Sequence, residues 1–329
     1  MWFSRSAWAL RHIVINWKDR RDRETPTVWL PDYFCNQSTA PMREAGARLT
    51  FYPVDQRLLP DWPELAAMAK TGAPDLMIFV HYFGAAFDTR DAARFCREHG
   101  AELIEDASHV LVPHGEIGSA GDHVFYSPYK FLAVPDAGLL LSHNELSSIE
   151  PSFDHPPPSF LWLTKRLAQK SAPGLAGRLG ARPPTHDQDP AFQSLAPQAA
   201  LSPLARRLMT RAIPRLPALP DDRARRASRW RQELGAQNLA LRPLFEDVRR
   251  EGPAPYRFVA VADDADTARR AYDGLITAGC PVSTWPDLAP EVIEDSGRHR
   301  EALKLRRRLL MLPVHLDMNV SALCACLSS

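Results

Sequence analysis

DLMIFVHYF (residues 75–83), TRDAARFCREHG (89–100) and AELIED (101–106) decide the fold. The first is a continuous apolar run that reads as a buried strand. The second carries apolar residues at helical spacing and closes on Gly100, the residue type best suited to the left-handed end of a helix. The third is a second apolar strand that ends in two acids, Glu105 and Asp106. Strand, helix and strand within about thirty residues form a βαβ unit, which implies a parallel sheet with a right-handed crossover.

Outward from that unit the pattern continues. Ser4 or Ser6 is expected to cap a helix running to about Trp17, with Leu10, Ile13, Val14 and Trp17 on one face. TVWLPDYF (27–34) and RLTFYPV (48–54) read as strands, residues 41–46 as a short helix, and PELAAMAKTG (63–72) as another. Residues 151–220 are rich in proline and are expected to form connections and short helices over the first domain. DRARRASRWRQELGAQ (222–237) reads as a long solvated helix bridging two domains, and the lack of interleaved aromatics argues against a nucleic-acid surface. Residues 256–263, 265–280, 281–286, 300–310 and 311–316 then give strand, helix, strand, helix, strand. The expected architecture is an α/β domain over 1–235 with a mostly parallel central sheet covered by helices on both faces. A smaller α+β domain follows over 236–329.

Composition sets the outer limits. The chain has 329 residues, 45% hydrophobic and 24% charged, with a formal net charge of +1, as expected of a soluble globular protein. That balance gives no reason to expect nucleic-acid or membrane partners. The five cysteines are odd in number and show no metal-type spacing, so no metal site and a reduced, cytoplasmic setting are expected. The terminal CLSS formally fits a prenylation box, but Ser328 is not aliphatic and the match reads as accidental.

In open parallel sheets ligands bind beyond the carboxyl ends of the strands. Asp106 stands at such an end, where it could face a crevice or cap a turn, while Glu105 faces the other way and reads as structural. The next segment, GDHVFYSPYKFLAVPDAG (121–138), sets Lys130 between Tyr129 and Phe131. The chain has only six lysines, and the other five fit polar helix faces or helix ends. A lysine in apolar surroundings, following a strand-terminal aspartate, suits pyridoxal 5′-phosphate. That cofactor needs an amine to hold its carbonyl and a carboxylate to keep its pyridine nitrogen protonated.

HYFG (81–84), LIEDASH (103–109), GSAGD (118–122), YSPYK (126–130) and PDAG (135–138), in this order, resemble the DegT/DnrJ/StrS-type aminotransferases of fold type I. The resemblance covers most of residues 4–145, and more loosely VSTWPDL (282–288) and LLMLPVH (309–315). It implies that residues 1–235 are a pyridoxal-phosphate domain in which Lys130 carries the cofactor and Asp106 pairs with its ring nitrogen. His109 occupies the position of a cofactor-contacting Gln or His, and Ser127 would touch the phosphate. Arg5, Ser6 and Ala7 align with a Ser-Gly-Thr segment whose backbone N–H groups would cradle that phosphate. Either Tyr33 or Cys35 stands where the family sets a residue against the ring.

The implied activity moves an amino group from an amino acid, glutamate by analogy, to a keto acceptor, often a nucleotide-linked keto sugar. The implied assembly is a homodimer. Departures are visible too. The family's N-terminal arm is missing or lies upstream of residue 1, the usual Gly-Thr pair is Ser6-Ala7, and the Gly-Asp/Glu-Gly-Gly turn is Pro135-Asp136-Ala137-Gly138. The proline-rich region stands in place of a Gly-Tyr-Asn-x-Arg segment. The rival readings are a non-catalytic homologue and a pyridoxal-dependent sugar dehydratase, although dehydratases have histidine where this chain has Lys130.

Overall fold

A computed structural model describes residues 1–147, 200–237, 239–246 and 252–327, with 162–164, 166, 167, 185 and 186 between them. The βαβ unit is formed as the sequence implies. Strand β4 (Leu76–Val80) is buried along its whole length, α4 (Arg90–His99) buries Ala92, Phe95 and Cys96, and β5 (Glu102–Ala107) pairs parallel to β4. Gly100 ends α4 at φ 70°, a conformation that costs any side chain with a Cβ.

Around this unit the chain adds β1 (Trp2–Phe3), α1 (Ser6–Arg21), β2 (Thr27–Pro31), α2 (Ala40–Glu44), β3 (Arg48–Tyr52) and α3 (Trp62–Ala69). Strands β6 (His123–Tyr126) and β7 (Gly138–Ser142) complete a seven-stranded sheet in the order β1-β7-β6-β5-β4-β2-β3. From β3 to β6 every neighbouring pair is parallel, while β7 runs antiparallel to both β6 and β1. Both edge additions, β1 and β7, were unexpected: β1 is two residues long and β7 follows a turn rather than a helix.

Neither Ser4 nor Ser6 caps α1. Arg5 is its N-cap, with no side-chain hydrogen bond to the first turn, and the helix runs on to Arg21. Other helix starts do carry a side-chain cap. Asp61 accepts from the Glu64 N–H at 3.2 Å in α3, and Asp264 from the Thr267 N–H at 2.7 Å in α7 (Ala265–Thr277).

Most of the proline-rich stretch before residue 200 lies outside the described residues. Its last part forms α5 (Pro203–Ala212) and a short 3-10 run, Ile213–Ala218, that leads into α6 (Leu219–Ala236). The charged helix α6 is more than a bridge. Ala227, Trp230 and Leu234 are buried in the core of the smaller domain, and the Trp230 Nε1–H donates to the Pro313 carbonyl at 3.0 Å.

That smaller domain is a three-stranded antiparallel sheet, β10-β9-β8, made of β8 (Leu241–Pro243), β9 (Phe258–Ala262) and β10 (Leu309–Leu312). It is covered by α6, α7, α9 (Arg300–Arg308) and α10 (Val320–Ala325), with the short α8 (Pro290–Glu294) before α9. The expected strand over 281–286 does not form. Ser283 makes only an isolated bridge to Met311, because Trp285 turns inward to stack on Tyr33 at 4.7 Å between ring centres. Phe245, Trp285, Leu288 and Val292 belong to the core of the large domain, which fixes the smaller domain against it. Among the described residues no helix is long and apolar enough to cross a membrane.

Candidate active site

A cavity of about 460 Å³ opens where the carboxyl ends of β4 and β5 meet the start of α1. Asp106 and Lys130 both line it, as do Ser6, Ala7 and His109. Arg5 and Cys35 line it too, so the cavity gathers seven of the nine residues singled out in the sequence.

The two adjacent acids separate by the alternation of a strand. Glu105 turns away from the cavity into a cage of donors. Its carboxylate accepts from the N–H groups of Gly118 (2.6 Å), Ala120 (3.0 Å) and Gly121 (2.6 Å), and from His81 Nε2–H (2.9 Å). Burial would raise its carboxyl, but His81 and the backbone donors outweigh that and hold it below the usual range. Asp106 turns into the cavity. Burial pushes its carboxyl up, opposed by the field of Lys130 and by the Ser108 N–H, which donates to Oδ1 at 2.8 Å.

Lys130 ends a 3-10 turn, Pro128–Lys130, that joins β6 to β7. It is half-buried, its Nζ lies 5.6 Å from the centre of the Tyr256 ring, and it makes no ion pair among the described residues. The His109 ring is stacked between Tyr256 (4.5 Å) and Phe83 (5.7 Å). Burial, then Lys130 and Arg257, hold its pKa well below the ordinary value, so the ring is neutral. The Phe83 N–H donates to His109 Nδ1 at 3.2 Å, which leaves the imidazole proton on Nε2. Phe83 pays for that contact with a left-handed backbone, φ 57°, unusual for an aromatic residue.

At the other end of the cavity the first turn of α1 presents uncapped N–H groups. Three hydroxyls cluster beside them: Ser127 donates to Ser6 Oγ at 2.8 Å, and Ser108 to the same oxygen at 3.4 Å. Ser127 is fully buried behind Ser6 rather than on the cavity wall. Gly138 permits the close approach of β7 to this turn, since a Cβ there would stand 2.7 Å from Arg5 C and Ser6 N. Arg5 itself is held over the Tyr129 ring at 4.1 Å and donates to the Pro135 carbonyl at 3.0 Å.

Tyr33 does not reach the cavity. It is buried in the aromatic core, stacked on Trp285, while its neighbours Phe34 and Cys35 line the wall. In the open choice between Tyr33 and Cys35, the geometry therefore favours Cys35. The residues that sequence reasoning missed are Ser108, Phe34 and Tyr256. Ser108 was within reach, because it follows Asp106 by two residues and shares its side of the chain. Tyr256 comes from the connection into β9, and nothing local marks it.

A family model of the DegT/DnrJ/EryC1/StrS aminotransferases matches residues 31–149. The match spans 119 of the chain's 329 residues. It holds β3 through β7, with Asp106, His109, Ser127 and Lys130. A curated relative, the dTDP-4-dehydro-2,3,6-trideoxy-D-glucose 4-aminotransferase of Saccharopolyspora spinosa, is 32% identical over 117 residues. The match covers 34% of this chain and spans only 30% of that relative's length.

The whole chain also superimposes on solved structures. The aminotransferase TlmJ from Streptoalloteichus hindustanus gives a TM-score of 0.65 at 19% identity, over 100% of this chain and 84% of the other. Helicobacter pylori PseC, an aminotransferase involved in the biosynthesis of pseudoaminic acid, gives 0.68 at 13% identity, over 99% and 85%. At these identities the likeness is one of fold. The fold is that of the type I pyridoxal-phosphate transferases, a central mixed sheet with flanking helices and a smaller C-terminal domain.

Proposed function

We propose that this chain is a pyridoxal-phosphate-dependent aminotransferase acting on a keto acceptor, with glutamate as donor by family analogy and a nucleotide-linked keto sugar as acceptor. One observation carries the reading: Lys130 and Asp106 face one cavity whose far wall is the uncapped start of α1. The residues present fit the cofactor. The α1 amides with the Ser6 and Ser108 hydroxyls would hold its phosphate, Asp106 its ring nitrogen, and Lys130 its carbonyl carbon. Gly138 supports this fit, because the place it leaves empty beside Ser6 is one a side chain would fill. Pyridoxal phosphate, when bound, supplies the electron sink that amino transfer requires.

The protein's own groups do the rest. Lys130 takes up and returns a proton at Nζ, for which its half-buried position, without an ion pair among the described residues, suits it. Asp106 holds a proton on its partner by its charge; a cationic N–H there would stabilise the carboxylate that burial otherwise disfavours. His109, neutral with its proton on Nε2, is a donor of fixed orientation. The aromatic wall of Tyr256, Phe34 and Trp285 limits water. A lysine at position 130 argues against the dehydratase reading. The homodimer and the cytoplasmic setting belong to this proposal as well.

The test is spectroscopic. Purified protein given pyridoxal phosphate should show a near-visible band, and borohydride should remove the band while fixing label on Lys130. Glutamate should then shift the unreduced band. A band that forms and ignores every amino donor would assign the chain to the non-catalytic homologues, and a protein that stays colourless would defeat the cofactor assignment.

A further inference from the structure

We infer that Tyr256, brought in by the smaller domain, is a positioning residue whose ring face seats the Lys130 amine. The inference deepens the aminotransferase reading and rests on it for what the amine does, though not for how the amine is held.

Among the described residues no hydrogen bond or ion pair reaches Lys130 Nζ, and Asp106 acts on it only as a field. The contact recorded for Nζ is the Tyr256 ring, whose centre lies 5.6 Å away on the wall of the same cavity. An ammonium over an aromatic face is attracted by the ring quadrupole. A carboxylate partner would favour the charged form far more strongly. The weaker seat suits an amine that must carry a proton at one moment and release it at the next.

The seat is itself fixed. The Tyr256 ring lies 4.5 Å from the His109 imidazole, nearly parallel at 10°, and meets Phe131 edge-on at 5.6 Å. Its backbone is held as well. Arg223, buried on α6, donates to the Pro255 and Tyr256 carbonyls at 3.0 and 3.2 Å and lies 4.9 Å over the Phe131 ring. Phe131 directly follows the turn that carries Lys130. One buried guanidinium therefore ties the lysine's own turn to the residue that holds the lysine. Arg257, next along the chain, approaches the same ring at 5.5 Å. A side chain set in advance by these contacts loses little freedom when it does its work.

A filled wall would not need a ring. Leucine keeps an apolar cover over Lys130 but has no quadrupole, whereas phenylalanine keeps the ring and lacks only the hydroxyl. These two substitutions separate a seat from mere packing.

The experiment follows the reaction of Lys130 with trinitrobenzenesulfonate in the full chain without added cofactor, read by peptide mapping. Lys70, exposed at the end of α3, is the internal reference, and thermal unfolding is run alongside. Tyr256→Leu should speed labelling of Lys130 roughly two- to fivefold, the gain in uncharged amine when such a contact is lost. Tyr256→Phe should label like the parent. Repeated on the two variants at about pH 11, where amines are largely uncharged, the difference should vanish. Arg223→Lys cannot span both carbonyls; it should speed labelling too, yet add nothing when combined with Tyr256→Leu.

With pyridoxal phosphate bound, the band shift driven by saturating glutamate should slow several-fold in Tyr256→Leu, with half-saturation little changed, and Tyr256→Phe should keep the parent rate. Equal labelling in the Leu and Phe variants overturns the inference, as does a difference that persists at high pH, which access alone would give. A chain that never shows the cofactor band, yet labels faster in Tyr256→Leu and not in Tyr256→Phe, defeats the aminotransferase reading and leaves the seat standing.

Discussion

Gly138→Ala should separate cofactor binding from folding. The glycine has no left-handed backbone to maintain, so alanine is acceptable there on conformational grounds. What it lacks is space: the new Cβ would stand 2.7 Å from Arg5 C and Ser6 N, and 3.0 Å from Arg5 O. All three are backbone atoms of the turn that starts α1, so no side chain can swing aside and the turn itself must move. Overpacking of this kind costs about 1–3 kcal/mol of stability. The functional cost is separate. A hydrogen bond to a charged group contributes roughly 1.5–3 kcal/mol. Misaiming one α1 amide should therefore weaken pyridoxal phosphate roughly 10- to 150-fold.

The assay is absorbance titration with the cofactor, run beside thermal unfolding. Gly235→Ala is the matched control, because its Cβ would meet nothing within 4 Å. In α6 that change should be neutral or stabilising by up to about 1 kcal/mol. If Gly138→Ala binds the cofactor as tightly as the parent, α1 is not the phosphate cradle and the placement of the whole ligand fails with it.

Lys130→Ala should abolish turnover and borohydride labelling together while leaving the fold intact, because Lys130 makes no ion pair among the described residues; unfolding curves and a labelled peptide map check both parts. Asp106→Asn should reduce the donor-driven reaction by roughly 10²–10³-fold with little loss of stability, the size expected when one preorganised charge is removed. Glu105→Gln should do the reverse. It breaks the buried hydrogen bond to His81 and disturbs the donor cage, for roughly 1–3 kcal/mol of stability by urea denaturation. Acid should destabilise the protein in two windows. The folded pKa of His109 is depressed, so the stability gained from its neutrality is complete above about 6.5 and is lost as pH falls below that. Glu105, also depressed, contributes fully above about 4.3 and loses its share at lower pH, whereas Asp106, raised by burial, opposes that loss. Urea midpoints at pH 7.5 and 5.0 should therefore differ less in His109→Gln than in the parent.

The parallel half of the sheet was legible because each of its strands is buried on both faces, which forces a continuous apolar run that composition alone reveals. β1 and β7 escaped for the opposite reason. Two residues carry no period, and β7 has Gly138 at its start and exposed Leu141 within it, so no alternation marks it. PVSTWP was misread because a β-prone run is equally what a segment feeding one tryptophan into an aromatic core looks like. The site was legible wherever one strand end supplied the residue, as with Asp106 and Lys130. It was not legible where the smaller domain supplied it. Tyr256 reaches Lys130 only through the packing of two domains.

Glu105 and Asp106 show why adjacent like residues take different work. One step along β5 turns a carboxylate from one face of the sheet to the other. On Glu105's side the loop at Gly118 to Gly121 closes over the oxygens with three amides, and Gly121 must be glycine because a Cβ there would stand 2.8 Å from the His123 carbonyl. Every acceptor site is met by fixed protein, so the charge is stable and nothing is left to react. On Asp106's side the protein supplies the Ser108 N–H and the distant field of Lys130, and burial dominates. The folded protein thus holds Asp106 in a state that a positively charged N–H would relieve. The carboxylate that folding leaves unsatisfied is the one available to a ligand, which is why Asp106 and not Glu105 belongs to the chemistry.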